Sequence, residues 1–142
     1  MRVLITGGTN GMGKGVAKVL AQQDGQRHEI ILLGRSRERG ESTVRELVEQ
    51  TGNGDISFVH CDLARLDDVR RAGAEIARRF ESLDGLFVNA GIGYAATRVE
   101  TEDGLDSHFQ VNYLSHFMLT LELLPLLERS ERGGRVVFNV AH

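Results

Sequence analysis

The fold of this chain is decided by the stretch Met1-Arg2-Val3-Leu4-Ile5-Thr6-Gly7-Gly8-Thr9-Asn10-Gly11-Met12-Gly13, in which an apolar run passes directly into closely spaced glycines. Gly7, Gly11 and Gly13 can adopt backbone angles closed to residues with a Cβ, and they let a ligand approach the main chain. Residues 14–23 have the apolar spacing of a helix, whose first N–H groups would face the loop. These donors, with the positive end of the helix dipole, predict a pyrophosphate-binding site.

The glycine pattern alone has a second interpretation, because a strand also enters a helix through glycines in an ordinary tight turn. A phosphate-binding loop requires a strand before the glycines and a helix after them. Both are present here, which favours the binding site over the plain turn.

Composition excludes several classes of partner. The chain has 142 residues, which suits a single domain, residues 1–142. Such a domain buries roughly 68% of its unfolded surface. The formal charge of −3 is spread over interspersed acids and bases, so we expect neither nucleic acid nor an anionic membrane as a partner. The most apolar stretch, residues 117–127, is too short and too polar to span a bilayer.

The cysteine content and the first residues indicate a cellular compartment. Cys61 is the single cysteine, so no internal disulfide can form, and we expect it to be a small buried hydrophobic residue. The first strand begins at Arg2, which leaves no room for a signal peptide. We therefore expect an intracellular, cytoplasmic location.

Strand-like runs alternate with segments of helical period along the whole chain. The runs cover residues 3–6, 29–33, 56–61, 85–89 and 135–140. Near-continuous apolar strands joined by helices indicate a parallel sheet covered on both faces. Because the crossovers are right-handed, we predict an α/β, doubly wound parallel sheet (a Rossmann fold) of about five strands in the order 3-2-1-4-5.

The segments between these runs carry apolar helical faces. The faces are Val44, Leu47 and Val48 in a helix that follows Ser36 and ends near Gly52, then Val69, Ala72, Ile76 and Phe80 after Asp62. A longer helix is predicted after Glu102, with the apolar residues Leu105, Phe109, Tyr113, Phe117, Leu121 and Leu124. Pro125 is expected to bend that helix because its ring removes a backbone donor.

The residue after the second strand indicates which dinucleotide binds. Ligands lie across the carboxyl ends of the strands in such sheets, and a carboxylate about 20 residues after the glycines would bind a ribose 2′-hydroxyl. Arg35 takes that place, 22 residues after Gly13, which favours the 2′-phosphate of NADP over NAD. A charge-assisted hydrogen bond contributes about 1.5–3 kcal/mol, enough to set that preference. Alternatively, Arg35 and Arg37 are only a solvated entry to the next helix.

The end of the third strand places His60 and Asp62 on one face. We expect no metal there, because His108 and His116 lie on another element without a recognisable ligand spacing. Asp62 has two open interpretations. It is either the N-cap of the helix that contains Val69, or a carboxylate that accepts a hydrogen bond from an adenine amino group.

Two further segments carry polar groups near the expected ligand. Asn89-Ala90-Gly91 follows the fourth strand, where small residues leave room for a ring or ribose and the Asn89 amide can bridge neighbouring strand ends. Asn112 lies inside an apolar helix, so we expect its amide to point inward and to need partners. It would either hydrogen-bond to a strand or hold a water that carries protons.

Four motifs in register resemble the short-chain dehydrogenase/reductase family. They are Thr6-Gly7-Gly8-Thr9-Asn10-Gly11-Met12-Gly13, Cys61-Asp62-Leu63, Asn89-Ala90-Gly91 and Val111-Asn112. Three further runs are most similar to its retinol dehydrogenase and WW-domain oxidoreductase branch: Gly34-Arg35-Ser36, Thr101-Glu102-Asp103-Gly104 and Asn112-Tyr113-Leu114-Ser115-His116-Phe117. The resemblance covers the whole chain and implies hydride transfer between a nicotinamide cofactor and a small-molecule carbonyl or alcohol.

The resemblance also implies a role for each matched residue. The pyrophosphate would be lined by Gly7, Thr9, Asn10, Gly11, Met12 and Gly13. The 2′-phosphate would bind Arg35 and Ser36, and the adenine Asp62 and Leu63. The ribose near the nicotinamide would contact Asn89, Ala90 and Gly91. Asn112 would match the structural and proton-relay asparagine of the family's catalytic site.

The chain departs from the family at the catalytic groups. In the family, strand five leads to a carbonyl-polarising serine and then to a Tyr-x-x-x-Lys helix. Residues 135–142 have no hydroxyl at that place, and the sequence ends before such a helix. Tyr94 and Tyr113 are followed four residues later by Arg98 and Phe117 instead of lysine. Because carbonyl reduction needs a proton donor, we expect this truncated chain to bind a nucleotide better than it turns anything over.

Three functions remain open at this point. The first is the cofactor-binding portion of an NADP-dependent oxidoreductase, and the second is a non-catalytic NADP-binding or regulatory module. The third is a purely structural role for the glycines and Asn112. The apolar fifth strand would lie at the sheet edge, so we also expect dimerisation, aggregation or a missing portion of the natural polypeptide.

Overall fold

The computed structural model describes residues 1–93 and 95–140, and its centre is a five-stranded parallel sheet. The strands are β1 (Arg2–Thr6), β2 (Glu29–Gly34), β3 (Ile56–His60), β4 (Gly85–Val88) and β5 (Arg135–Phe138). They lie in the order β3-β2-β1-β4-β5, and every neighbouring pair is parallel. The fold class and strand order predicted from the sequence are confirmed.

Helices connect the strands and cover both faces of the sheet. They are α1 (Gly11–Ala21), α2 (Arg37–Thr51), α3 (Leu66–Arg79), α4 (Ser107–Phe109) and α5 (Ser115–Glu128). Between α4 and α5, residues Gln110–Leu114 form one π-helical turn, so the chain is helical from Ser107 to Glu128. Within the described residues, no helix has the combination of length and apolarity needed to cross a bilayer.

The side chains of β1 alternate between two hydrophobic clusters, one on each face of the sheet. Val3 and Ile5 pack with the apolar faces of α1 and α2, including Ala17 and Leu47. Leu4 packs in the larger cluster with the apolar faces of α3 and α5. The predicted α3 face is confirmed, because its members Val69, Ala72, Ile76 and Phe80 are all buried.

The long helix differs from its sequence prediction. It begins at Ser107, where Asp106 is the N-cap and accepts a hydrogen bond from Phe109 N, so Leu105 precedes it. The apolar residues expected to form its packed face are 41% to 59% exposed: Phe109, Tyr113, Phe117, Leu121 and Leu124. The buried face consists of Leu119, Leu123, Leu126 and Leu127. The helix is apolar on both sides, and packing against α3 determines which side is buried.

The β5 edge also exposes apolar residues. Val137 and Phe138 are 55% and 58% exposed, and Val140, just beyond the strand, is 72% exposed. β5 pairs with β4 alone among the described strands, so its position as an outer strand is confirmed. We call the exposed residues of the helix and of β5 together the apolar surface.

Candidate functional site

A cleft of about 610 Å³ lies at the carboxyl ends of the strands. Its walls come from the segments that follow β1, β2, β3 and β4 and from the start of the long helix. The predicted site residues that line it are Gly7, Thr9, Asn10, Met12, Arg35, Ser36, Asp62, Leu63, Asn89, Ala90 and Gly91. Gly11, Gly13 and Asn112 are not among the lining residues.

The glycine turn after β1 depends on two different properties of glycine. Gly7 and Gly11 have φ values of 66° and 52°, in the left-handed region that side chains rarely adopt. Gly13 instead allows close packing, because a Cβ there would lie 2.7 Å from Asn89 Nδ2 and closer still to the Gly7 carbonyl. The turn therefore brings β1, α1 and the end of β4 together.

The N-terminus of α1 opens beside this turn. Asn10 is the N-cap, and its side chain accepts no hydrogen bond from the first turn of the helix. The first N–H groups of an α-helix have no partner within the helix, so an anion can bind them here. Asn10 lines the cleft, which places this end of the helix at the cleft wall.

The segment after β2 adds positive charge to the cleft. Arg35 and Ser36 line the wall, and Ser36 Oγ accepts a hydrogen bond of 3.2 Å from Arg39 N as the N-cap of α2. Arg39 also lines the cleft, and it was not among the residues predicted from the sequence. Its position three residues after the N-cap Ser36, in the first turn of α2, could have identified it. Within the described residues, neither arginine forms an ion pair with an acidic side chain.

The segment after β3 forms the opposite wall. Asp62 Oδ1 accepts a hydrogen bond of 2.9 Å from Ala64 N, and Asp62 N donates to Asp68 Oδ2 at 2.6 Å. Burial raises the pKa of Asp68, but hydrogen bonds from Arg71 and the Asp62 amide outweigh this and hold it below its ordinary value. Leu63 is buried, and its carbonyl accepts the Ser115 hydroxyl at 2.5 Å. This wall is therefore anchored to α3 and α5.

The interpretation of Asp62 as a helix N-cap is wrong. The N-cap position of α3 is Arg65, which provides no side-chain cap, and the helix begins only at Leu66. Leu66 N donates instead to Asp103 Oδ2 at 2.9 Å, from the loop before the long helix. Asp62 lies too far before the helix and forms a tight turn with Ala64, which leaves its carboxylate at the cleft wall.

Cys61 and His60 precede this wall. Cys61 is 1% exposed, as predicted, and burial raises the pKa of its thiol to about 12. His60 Nε2 lies 3.1 Å from the Arg35 carbonyl, and Nδ1 lies 3.8 Å from Asp68. In the described part of the chain, no three His, Cys, Asp or Glu side chains are grouped so that they could hold a metal ion.

Asn89 bridges neighbouring strand ends, as its position after β4 predicted. Its Nδ2 donates to the Thr6 and Gly7 carbonyls at 3.2 and 3.4 Å. Its Oδ1 accepts a hydrogen bond of 3.0 Å from Asn139 Nδ2, just after β5. One amide therefore connects the ends of β1, β4 and β5.

Thr6 also holds the end of β4, a role that was not predicted from the sequence. Its Oγ1 accepts hydrogen bonds from Asn89 N at 2.9 Å and from Ala90 N at 3.0 Å. Thr6 is fully buried, and a polar residue at the buried end of an apolar strand is the signal that could have identified it.

The expectation that Asn112 points into the core is wrong. Asn112 is exposed, and it lies in the π-helical turn at the surface. Its amide forms a two-point contact with the Ile92 backbone, with Oδ1 accepting from N at 2.8 Å and Nδ2 donating to O at 3.1 Å. Asn112 therefore finds its partners in the loop after β4 and fixes that side of the cleft.

The two tyrosines contribute no described group to the cleft. Tyr94 lies outside the described residues. Tyr113 is 59% exposed on the apolar surface, between Phe109 and Phe117, and does not line the cleft.

Known proteins share this sequence pattern. Residues 1–141 match the family model described as short chain dehydrogenase. Polyprenol dehydrogenase of Homo sapiens is 34% identical over 131 residues, which cover 92% of this chain and 38% of the relative. Retinol dehydrogenase 13 of Homo sapiens is 38% identical over 128 residues, which cover 90% of this chain and 38% of the relative. The chain thus spans less than half the length of these curated relatives.

Solved structures share the fold as well. A short chain dehydrogenase from Escherichia coli CFT073, complexed with NADPH, matches with a TM-score of 0.81 and 30% identity. The match covers 96% of this chain and 57% of that one. The Pseudomonas aeruginosa RhlG/NADP active-site complex matches with a TM-score of 0.79 and 28% identity, over 96% of this chain and 53% of that one. With the family match over residues 1–141, these findings confirm the family resemblance, and the chain belongs to the short-chain dehydrogenase family.

Proposed function

We propose that this chain is the cofactor-binding portion of an NADP-dependent oxidoreductase. The single observation that carries the proposal is one continuous cleft that joins the glycine turn to Arg35, Ser36 and Arg39. Neutral protein groups at a helix N-terminus suit a pyrophosphate, and arginines without acidic partners suit a further phosphate. The two structural neighbours described above, with NADPH and NADP, support this choice of cofactor.

The residues present fit such a dinucleotide. A Cβ at Gly11 would meet nothing within 4 Å, so the backbone is open to an approaching group at that point. We assign the pyrophosphate to Gly7, Thr9, Asn10, Gly11, Met12 and Gly13, and the 2′-phosphate to Arg35 and Ser36. The adenine is assigned to Asp62 and Leu63, and the nicotinamide ribose to Asn89, Ala90 and Gly91. When bound, the nicotinamide would supply or accept a hydride.

Preference for NADP over NAD is assigned to Arg35. We expect Arg35→Gln to weaken NADPH binding about ten- to a hundredfold, because it removes a charge-assisted hydrogen bond to the 2′-phosphate. NADH binding should change little, since NADH has no such phosphate. Titration of the parent and the variant with both cofactors, by calorimetry or nicotinamide fluorescence, measures the preference.

Arg37 provides the matched control. It is also exposed and lies two residues later, but it does not line the cleft. Arg37→Gln should therefore leave both affinities near those of the parent. Equal losses of NADPH affinity in the two variants would mean that Arg35 acts only through net charge. A parent that binds neither cofactor would overturn the proposed function.

We assign binding and orientation of the cofactor to the described residues of the cleft. Reduction of a carbonyl requires a positioned proton donor. Among the described residues that line the cleft, there is no pair of a tyrosine and a lysine. For Asn112 we propose the family's role in a proton relay, with the Ile92 contact as its structural part. The carbonyl or alcohol substrate would be bound by residues outside this chain.

We also propose a second candidate function, because no Tyr-x-x-x-Lys pair occurs within residues 1–142. The chain would then be a non-catalytic NADP-binding or regulatory module. Tight NADPH binding without turnover of any carbonyl would support it. A longer reading frame with Tyr-x-x-x-Lys shortly after His142 would instead support the enzyme.

We also propose that the chain self-associates and that it is located in the cytoplasm. The apolar surface would be covered by a second copy of the chain or by further polypeptide, because an open apolar strand edge pairs readily. A cytoplasmic location is proposed on the lone, buried Cys61, which suits a reducing compartment.

A further inference from the structure

We propose that His116 is a positioning residue of the cofactor site, where its neutral Nδ1–H tautomer accepts the Thr6 hydroxyl and thereby fixes the backbone of Asn89 and Ala90. The inference rests on the proposed function, because those two residues are assigned to the nicotinamide ribose. His116 lies on α5, behind the cleft wall, and does not line the cleft itself.

Three nitrogen atoms surround the Thr6 hydroxyl oxygen. The backbone nitrogens of Asn89 and Ala90 lie 2.9 and 3.0 Å from Oγ1, and His116 Nε2 lies 2.9 Å from it. Thr6 is fully buried and His116 is 2% exposed, so water cannot replace any of these partners without a rearrangement.

The number of protons determines the tautomer. A hydroxyl can donate one hydrogen bond and accept two, and a backbone N–H can only donate. The amides of Asn89 and Ala90 therefore occupy both lone pairs of Thr6 Oγ1. The hydroxyl proton must go to His116 Nε2, which accepts it only if that nitrogen carries no proton. In a neutral imidazole the proton then resides on Nδ1.

The surroundings of the ring agree with a neutral side chain. Burial lowers the pKa of His116, and the Asn112 backbone, one helical turn earlier, raises it by a smaller amount. The Asn112 backbone is therefore the polar neighbour available to a proton on Nδ1, although the contact falls short of a full hydrogen bond. A proton on Nε2 would place three donors around one oxygen, so one of the two amides at the end of β4 would lose its acceptor.

The displaced amide would affect the phosphate end of the cleft as well. A Cβ at Gly7 would lie 2.9 Å from Ala90 Cα, so the glycine turn and the end of β4 are in close contact. The side chain of Asn89 also holds the Thr6 and Gly7 carbonyls. His116 thus acts through Thr6 on both assigned parts of the site, without touching either.

The tautomer can be measured directly in the unmodified protein. Long-range ¹H–¹⁵N correlation spectra at neutral pH distinguish the two neutral forms of a histidine ring. We expect His116 in the Nδ1–H form, and we expect Thr6→Val, which removes the hydroxyl, to shift the ring away from that single form. An Nε2–H form in a parent that binds NADPH would overturn this inference and leave the proposed function standing.

Two substitutions then test the effect on binding. His116→Leu has no acceptor, and we expect it to weaken NADPH binding about tenfold. His116→Gln places a carbonyl oxygen near the position of Nε2 and should restore the affinity to within about twofold of the parent. Thermal unfolding of both variants separates the effect from a loss of fold. Equal affinity of His116→Leu and the parent would overturn the inference, as would failure of the glutamine to rescue a folded variant.

The same measurements distinguish this inference from the proposed function. A parent with the Nδ1–H form that binds neither NADPH nor NADH would overturn the proposed function and, with it, the positioning role. Binding of NADPH by the parent, with selective loss in His116→Leu and rescue in His116→Gln, would support both.

Discussion

At the scale of single residues, the candidate site depends on close contacts that only one type of residue can make. Gly13 has room for a hydrogen and not for a methyl group, and the Asn112 amide matches both polar groups of the Ile92 backbone. Such contacts follow from residue type, because only glycine lacks a Cβ and only an amide can both donate and accept in this way.

Gly13 and Gly15 offer a test within one helix. We expect Gly13→Ala to destabilise the fold by about 1–3 kcal/mol, because the added methyl group would clash with the Gly7 carbonyl and the Asn89 amide. Gly15→Ala should stabilise it by about 0.5–1 kcal/mol, since a Cβ there meets nothing within 4 Å and alanine favours a helix. Urea unfolding measures both. Equal effects of the two substitutions would contradict the assigned role of Gly13.

At the scale of elements, the long helix and β5 leave apolar residues in solvent. Phe109, Tyr113 and Phe117 lie along the exposed side of the helix with ring centroids 5.5 and 6.4 Å apart. Exposed apolar patches larger than a few hundred Å² are rare on monomers and mark interaction sites. The same element also supplies the buried face of the core, so it contributes to two surfaces at once.

Self-association of this chain follows from the apolar surface. We expect the parent to elute earlier than a monomer in size-exclusion chromatography as its concentration rises. Phe117→Ser combined with Val137→Ser should shift elution toward the monomer, because both substitutions remove exposed apolar area. Val19→Ser is the control, since Val19 is 69% exposed on α1, outside the apolar surface. A parent that remains monomeric at high concentration would refute this prediction.

At the scale of the whole molecule, polar contacts at the amino-terminal ends of the strands hold the sheet to its connections. Asp84, before β4, accepts hydrogen bonds from Arg2 N at 2.7 Å and from the Ser130 hydroxyl at 2.5 Å. Burial raises the pKa of Asp84, but these hydrogen bonds and nearby positive charges outweigh it and leave the pKa below its ordinary value. The folded state thus favours the ionised carboxylate.

Stability should therefore depend on pH through Asp84. The folded pKa lies below the unfolded pKa, so the contribution is complete above the unfolded pKa and is lost as the pH falls through the folded pKa. We expect Asp84→Asn to lower the free energy of unfolding more at about pH 7 than at about pH 3. Asp24→Asn, in an exposed loop, is the control and should have little effect at either pH. An equal loss at both pH values for Asp84→Asn would contradict the assignment.

The fold could be predicted from the sequence because its signals are local. Strand-like runs alternate with helical periods, and Gly7 and Gly13 mark the one turn that a dinucleotide site requires. The positions of Arg35 and Asp62 in the cleft could also be predicted, because both residues come just after a strand and parallel strands end at one edge of the sheet.

Other features depend on tertiary contacts that the sequence does not state. The long helix is apolar on two sides, so periodicity could not choose between Phe117 and Leu119 as the buried residue. Asn112 shares the exposed side of this helix with Phe109 and Tyr113, so it lies at the surface for the same reason. The Thr6 and His116 pair joins positions 110 residues apart, and no local pattern connects them.

The bridge made by the Asn89 amide has a consequence for the kinetics and thermodynamics of association. The Asn89 side chain forms hydrogen bonds that hold three strand ends together, so this edge of the cleft is ordered before any ligand binds. Little conformational entropy then remains to be lost on binding, and rigid docking is favoured over induced fit. Loss of this amide should therefore lower the affinity for the ligand mainly by speeding its dissociation, because that edge of the cleft would be less ordered.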